Sequence, residues 1–97
     1  MTKQFFEWDE VKAESNYKKH GIKFEDAVEV FDDPFCYCRR DRIENGEYRY
    51  QAIGYTRDGV MLLLVAYTLR KDDGTENIRI ISARRVTKQE RKQYGNR

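Results

Sequence analysis

The run VMLLLVAY, Val60 to Tyr67, is apolar at every position. Successive side chains of a strand point to opposite faces, so a strand of this composition must bury both of them. A chain that contains it needs a sheet in which this strand lies centrally, covered by helices on at least one side. Three further β-rich runs surround it in the sequence, FCYCRR, EYRYQAIGYT and NIRIISARRV. The intervening DRIENG, RDG and KDDGTE carry the Gly, Asp and Asn that tight turns require, which predicts a four-stranded antiparallel meander. In the last run Ile78, Ile80 and Ser82 alternate with Arg79, Ile81 and Ala83, and Arg84 and Arg85 close the strand on opposite faces.

The first third of the chain has a different period. FFEW reads as a short first strand. Asp9 then stands at an N-cap position, Lys12, Asn16, Lys19 and His20 recur at helical spacing, and Gly21 supplies a C-terminal stop. This predicts a helix from about Asp9 to His20. Phe24, Ala27, Val28 and Phe31 form a second, short apolar stripe that DDP ends. Near the C-terminus, Thr87 followed three residues later by Glu90 is the signature of a capping box opening a short polar helix. The expectation is an α+β fold: a small antiparallel sheet of about four strands packed with two N-terminal helices and a short C-terminal helix.

Ninety-seven residues suit one domain, residues 1–97, with one modest core and room for one site. A chain that is 37% charged and 13% aromatic has the bulky anchors of a folded, highly solvated domain. The net charge of +2 is small, so only clustering of the nineteen Lys and Arg could signal a nucleic-acid partner. Cys36 and Cys38 would share a strand face without forming an ordinary disulfide, and a single His leaves no zinc ligand set of usual spacing. Carboxylates are not grouped as Mg²⁺ requires, so no metal and no cofactor is expected. MTKQFFEWDE is charged where a secretory signal is apolar, and no run approaches a membrane span, which together read as cytoplasmic.

Positive charge falls into two stripes. Lys12, Asn16, Lys19 and His20 lie along one side of the first helix, and Arg49, Arg70, Arg79, Arg84 and Arg85 gather at strand ends. A basic helix face is ordinarily a solvated surface, and His20 before Gly21 suits the helix dipole. Metal-free RNA cleavage needs the same residue types, to activate a 2′-hydroxyl, to stabilise a pentacoordinate phosphate and to protonate the leaving oxygen. Composition leaves both readings open.

Taken in order, W-D-x-x-K-x-x-x-N-x-x-K-H-G-x-x-F-x-x-A, D-P, G-E-x-R-x-x-x-I-G and R-I-I-S-A-R-R resemble the BrnT toxins of bacterial type II toxin-antitoxin systems, over Phe6 to Tyr94. CYC falls in a segment that varies in that family. The resemblance implies a single toxin domain of RelE-like fold, a metal-independent endoribonuclease that arrests translation, and a BrnA antitoxin with a ribbon-helix-helix DNA-binding part. By match to the motifs, Trp8 and Phe24 are core anchors; with no second His or acid partner at a triad spacing, Ser82 is read as a core or strand-end hydroxyl rather than a nucleophile. Lys19, His20, Arg49, Arg70 and Arg84 are expected around the scissile phosphate, with Glu47 as a candidate general base. Lys12, Asn16, Arg79 and Arg85 are expected to contact RNA, Arg85 more than Arg84 being suited to partner or phosphate contacts. Because ribbon-helix-helix proteins dimerise, the expected complex is a heterotetramer with two toxins, and operator DNA is bound only through it. The competing class is a toxin-like module without chemistry that binds RNA or only its antitoxin.

Overall fold

The apolar run does form the centre of a sheet. The computed structural model describes residues 3–96, with Met1, Thr2 and Arg97 outside the described residues. In chain order the elements are β1 (Lys3–Glu7), α1 (Glu10–His20), α2 (Phe24–Val28) continued by a 3₁₀ turn (Glu29–Asp32), β2 (Tyr37–Glu44), β3 (Glu47–Tyr55), β4 (Leu62–Asp72), β5 (Thr75–Arg85) and α3 (Lys88–Gly95). The strands are ordered β1-β5-β4-β3-β2, with β4 in the middle. Both faces of β4 are covered. Leu63 and Val65 join Ile22, Phe24, Ala27, Val30, Ile78 and Ala83 in the main core under α1 and α2. Leu62 and Leu64 join Ile53 in a smaller cluster that packs against Tyr55, Val86 and Tyr94 of the α3 side.

Two features correct the expected meander. The sheet has five strands and is mixed: β1 pairs in parallel with β5, from Lys3↔Thr75 to Glu7↔Arg79. Tight turns impose antiparallel pairing on β2 to β5, whereas β1 is joined to the rest through helices, and no local signal sets its direction. The second feature is a bulge in β5. Ala66 pairs with Ser82 and Tyr67 with Ile80, so Ile81 is the extra residue. Ala83 therefore returns to the face of Ile78 and Ile80, and all three are buried, where strict alternation had set Ser82 with them. By the same shift Arg84, opposite Leu64, faces the α3 side, and Arg85, opposite Leu63, faces the α1 side.

Local signals elsewhere hold. Asp9 caps α1 by accepting from the Val11 amide at 2.8 Å, and Gly21 ends it in the left-handed region at φ 72°. Thr87 and Glu90 form the capping box of α3. Trp8 meets Phe24 edge-on at 5.9 Å, with Phe24 fully buried. The second helix tightens to 3₁₀ geometry after Val28, which brings Val30 rather than Phe31 fully into the core. The DRIENG turn shrinks to Asn45 and Gly46, both left-handed at φ 52° and 77°, and β2 runs on to Glu44.

Gly54 lets β3 approach the 3₁₀ turn. A Cβ there would lie 2.8 Å from Val30 Cγ1 and 3.1 Å from the Val30 carbonyl oxygen. Gly54→Ala is expected to cost about 1–3 kcal/mol, the usual range for overpacking, because the backbone oxygen cannot swing aside. A lowered urea midpoint at unchanged slope measures it; an unchanged midpoint would mean the turn gives way freely.

Candidate active site

The face that α3 covers at one end is open at the other. There Arg49, Thr68 and Arg79 are register partners on β3, β4 and β5, and β1 extends the row with Glu7 opposite Arg79. Residues two apart on a strand share a face, so Glu47, Arg70 and Asn77 form the next row. Lys12 reaches the same space from the first turn of α1. Glu7, Lys12, Glu47, Arg49, Arg70 and Arg79 together line a cleft of about 410 Å³ whose floor includes Thr68 and Asn77.

The charges in this cleft are unevenly compensated. Arg49 has a side chain only 19% exposed, and its buried Nε has no hydrogen-bond partner. The Glu44 carboxylate lies 3.9 Å from it, beyond hydrogen-bond range, and is already held by Arg42 through Nε and Nη2 at 3.1 and 3.0 Å. Arg42 first, and Arg49 after it, keep the exposed Glu44 carboxyl below its ordinary value. Arg70 sits 3.5 Å from Asp72. Among the described residues Lys12, Arg79, Glu7 and Glu47 have no ion pair within 4 Å.

The other expected site residues lie elsewhere. Asn16 is buried, 7% exposed, and its amide completes the free edge of β5 above β1. Its Oδ1 accepts from the Ala83 amide at 3.1 Å, and its Nδ2 donates to the Ala83 and Ile22 carbonyls at 2.9 and 3.2 Å. Its polar atoms are thus used to dock α1 on the sheet, and it does not share the exposed side of Lys12. Lys19 and His20 border a shallow groove of about 190 Å³ between α1 and β5, with Ser82; Lys12 and Ile81 lie on the border of groove and cleft alike. Arg85 is exposed on the α1 side of the sheet.

Arg84 is engaged by α3. Its Nη1 and Nη2 donate to the two Glu90 carboxylate oxygens at 2.8 and 2.9 Å, a two-pronged ion pair. The hydrogen bond from Arg84 is the main cause that holds Glu90 below the usual carboxylate range, and Glu90 in turn raises Arg84. A depressed carboxylate contributes stability above its unfolded value and loses it as pH falls through the folded one. Thermal melts through the acid range are therefore expected to fall less steeply in Glu90→Gln than in the parent; equal slopes would show that the pair adds nothing. Arg39, which the sequence did not single out, donates to Gln51 at 2.8 Å and to Gln93 of α3 at 2.7 Å. On the opposite face, burial and the neighbouring Cys38 and Cys36 push the Tyr67 hydroxyl far above the phenol range, so it stays protonated. The Cys36 and Cys38 sulfurs are 3.7 Å apart in thiol contact.

The cleft thus gathers Lys12, Glu47, Arg49, Arg70 and Arg79 of the expected set and adds Glu7, Thr68 and Asn77. A cationic pocket with an unpartnered guanidinium nitrogen suits an anion such as a phosphodiester. A family model described as the ribonuclease toxin BrnT of type II toxin-antitoxin systems matches residues 8–90. The chain belongs to the BrnT family. No curated protein matches it significantly. As a BrnT toxin it is a ribonuclease, with RNA as substrate and an antitoxin as partner. The matched segment begins just after Glu7, so β1 lies outside it. Among the described residues no helix is long and apolar enough to cross a membrane.

Proposed function

We propose that this BrnT toxin is a metal-independent endoribonuclease whose scissile phosphate sits in the cleft among Lys12, Arg49, Arg70 and Arg79. One observation carries the reading: the half-buried Arg49 guanidinium, with an unpartnered Nε, points to a missing acceptor beside two cations without an ion pair, Lys12 and Arg79. A phosphate supplies acceptor and countercharge at once. Lys19 and His20, along the adjoining groove, extend the cationic track to a flanking phosphate of the same strand. Arg84 joins the substrate only if Glu90 releases it, and Arg85, exposed on the other side of the sheet from the cleft, is assigned to a partner contact.

In this reading positively charged side chains take the part that a divalent ion plays in other nucleases, stabilising charge on the pentacoordinate phosphate. Its support is the set of charged side chains lining the cleft, four cations with two carboxylates set on different strands, Glu7 on β1 and Glu47 on β3. Purified toxin is expected to cut RNA at the same rate with and without EDTA. Loss of cleavage in chelator, restored by a divalent ion, would overturn the metal-independent mechanism. Retention of RNA without cutting would make the chain a binding module instead.

The finer biology belongs to the same proposal: a RelE-like single domain acting in the cytoplasm, arresting translation, and held by a BrnA-like ribbon-helix-helix antitoxin in a heterotetramer with two toxins. An acidic segment of the antitoxin laid over the cleft would neutralise Lys12 and Arg79, and opposite charge would speed capture of newly made toxin. Operator DNA would be bound through the antitoxin, since the polar α3 and short α1 offer no recognition helix. Co-expression with the neighbouring reading frame is expected to yield a complex that sizes as two toxins and two antitoxins and shifts promoter DNA. A toxin that binds its promoter alone would refute that division of labour.

A further inference from the structure

We propose that Glu7 is the general base of the cleavage reaction, taking the proton from the ribose 2′-hydroxyl next to the scissile phosphate; this rests on the ribonuclease reading of the cleft given above. A base must be a carboxylate without a fixed counterion on the open face. Three of the carboxylates there fail that condition. Glu44 is bound by Arg42, Glu90 is bound by both prongs of Arg84, and Asp72 lies 3.5 Å from Arg70 and accepts from Asn77 at 3.3 Å. Glu7 and Glu47 remain, both lining the cleft and neither ion-paired.

The cations decide between them. Arg70, across from Glu47, already lies 3.5 Å from Asp72, and Arg49 lies 3.9 Å from a Glu44 that Arg42 holds. Neither Lys12 nor Arg79 has an ion pair within 4 Å, Lys12 acting on Glu44 only at longer range, so the phosphate gains most there. Arg79 is the register partner of Glu7, one strand spacing away, about 4.8 Å. Glu47 is separated from Arg79 by the whole of β4.

Glu7 is also held in place. Phe6 before it packs on Phe31 at 5.3 Å between ring centres, and Trp8 after it packs on Phe24 at 5.9 Å. With both neighbours anchored in the core, alternation leaves Glu7 facing the cleft on a paired strand, the rigid mounting a proton-transfer group needs.

The step balances as follows. The Glu7 carboxylate accepts the 2′ proton, the 2′-oxygen bonds to phosphorus, and the bond from phosphorus to the 5′-oxygen breaks, leaving a 2′,3′-cyclic phosphate. The Lys12 ammonium protonates the departing 5′-oxygen, and proton exchange with solvent resets both side chains. Arg79 and Arg49 stabilise the added charge on the phosphorane.

Glu7→Gln keeps shape and exposure and removes only the basicity. Its kcat is expected to fall by about 10²–10⁴-fold, the usual worth of a positioned base. Binding of an oligonucleotide carrying 2′-deoxyribose at the cut site should be retained or tightened, because one negative charge is gone. The rise of rate with pH on the acid side should vanish in Glu7→Gln and reappear in Glu7→Asp, and Glu47→Gln, whatever its rate, should keep it. A Glu7→Gln enzyme with full rate and an intact acid limb overturns the assignment, as does one that loses RNA affinity or thermal stability along with rate. Inactive Glu47→Gln beside active Glu7→Gln moves the base to Glu47. If the parent protein cuts no RNA, the ribonuclease reading of the cleft falls, and Glu7 falls with it.

Discussion

Replacing Arg49 with alanine is expected to slow RNA cleavage by on the order of a hundredfold to a thousandfold, the loss seen when one preorganised donor to a developing oxyanion is removed. Arg49 is the cleft cation with the least freedom: its side chain is 19% exposed and its Nε is buried without a hydrogen-bond partner. A donor so placed is already desolvated and aimed, so it loses little by reorganising when charge appears on the phosphate. Arg49→Lys restores the charge but not the planar fork, and should recover only part of the rate. The fold should tolerate both changes, because Glu44 keeps its two bonds to Arg42. Arg57 offers the control. It lies in the turn after β3, paired with Asp32 and close to Glu29, and Arg57→Ala should cut RNA normally. Full activity in Arg49→Ala, together with loss in Arg84→Ala, would place the chemistry beneath α3 instead of in the open cleft.

Why the cleft was only partly legible follows from which signals are local. The two-faced burial of β4 is written in consecutive residues, Leu62 to Val65, and so are the Asp9 cap, the Gly21 stop and the Thr87 and Glu90 box. Each depends on neighbours within a turn or a strand, and each is found where the sequence placed it. The parallel docking of β1 on β5 joins residues more than seventy positions apart, and nothing in FFEW states its partner or direction. Glu7 was missed for that reason alone. The bulge at Ile81 likewise has no signal in RIISARR, since every residue there fits a regular strand. It nevertheless decides which arginine meets α3. Motif resemblance set Glu47, Arg49 and Arg70 at the phosphate and Lys12 and Arg79 among the RNA contacts, and the fold gathers all five around one cleft. It set Lys19, His20 and Arg84 at the phosphate as well, and the fold has them along a side groove and in an ion pair.

The pair Lys12 and Asn16 gives the sharpest separation of fold from function. They stand one helical turn apart and read alike in the sequence, yet Lys12 is exposed at the cleft and Asn16 is buried against Ala83. Asn16→Ala removes three hydrogen bonds and leaves the Ala83 amide, the Ala83 carbonyl and the Ile22 carbonyl without their partner. At about 1 kcal/mol or more for each buried group left unsatisfied, the expected loss is about 3 kcal/mol. For a domain of this size that lowers Tm by roughly 12–24 °C, at 4–8 °C per kcal/mol. Asn16→Asp should be no better, because a carboxylate cannot donate to the two carbonyls and sets like charge against them. Lys12→Ala, by contrast, should melt close to the parent and lose RNA affinity. Well below its lowered Tm, Asn16→Ala should still bind and cut RNA, since its amide is occupied by the backbone and has no polar atom left for a substrate. A protein that instead melts normally without Asn16 and fails to bind RNA would return that residue to the RNA surface and remove it from the joint between α1 and β5.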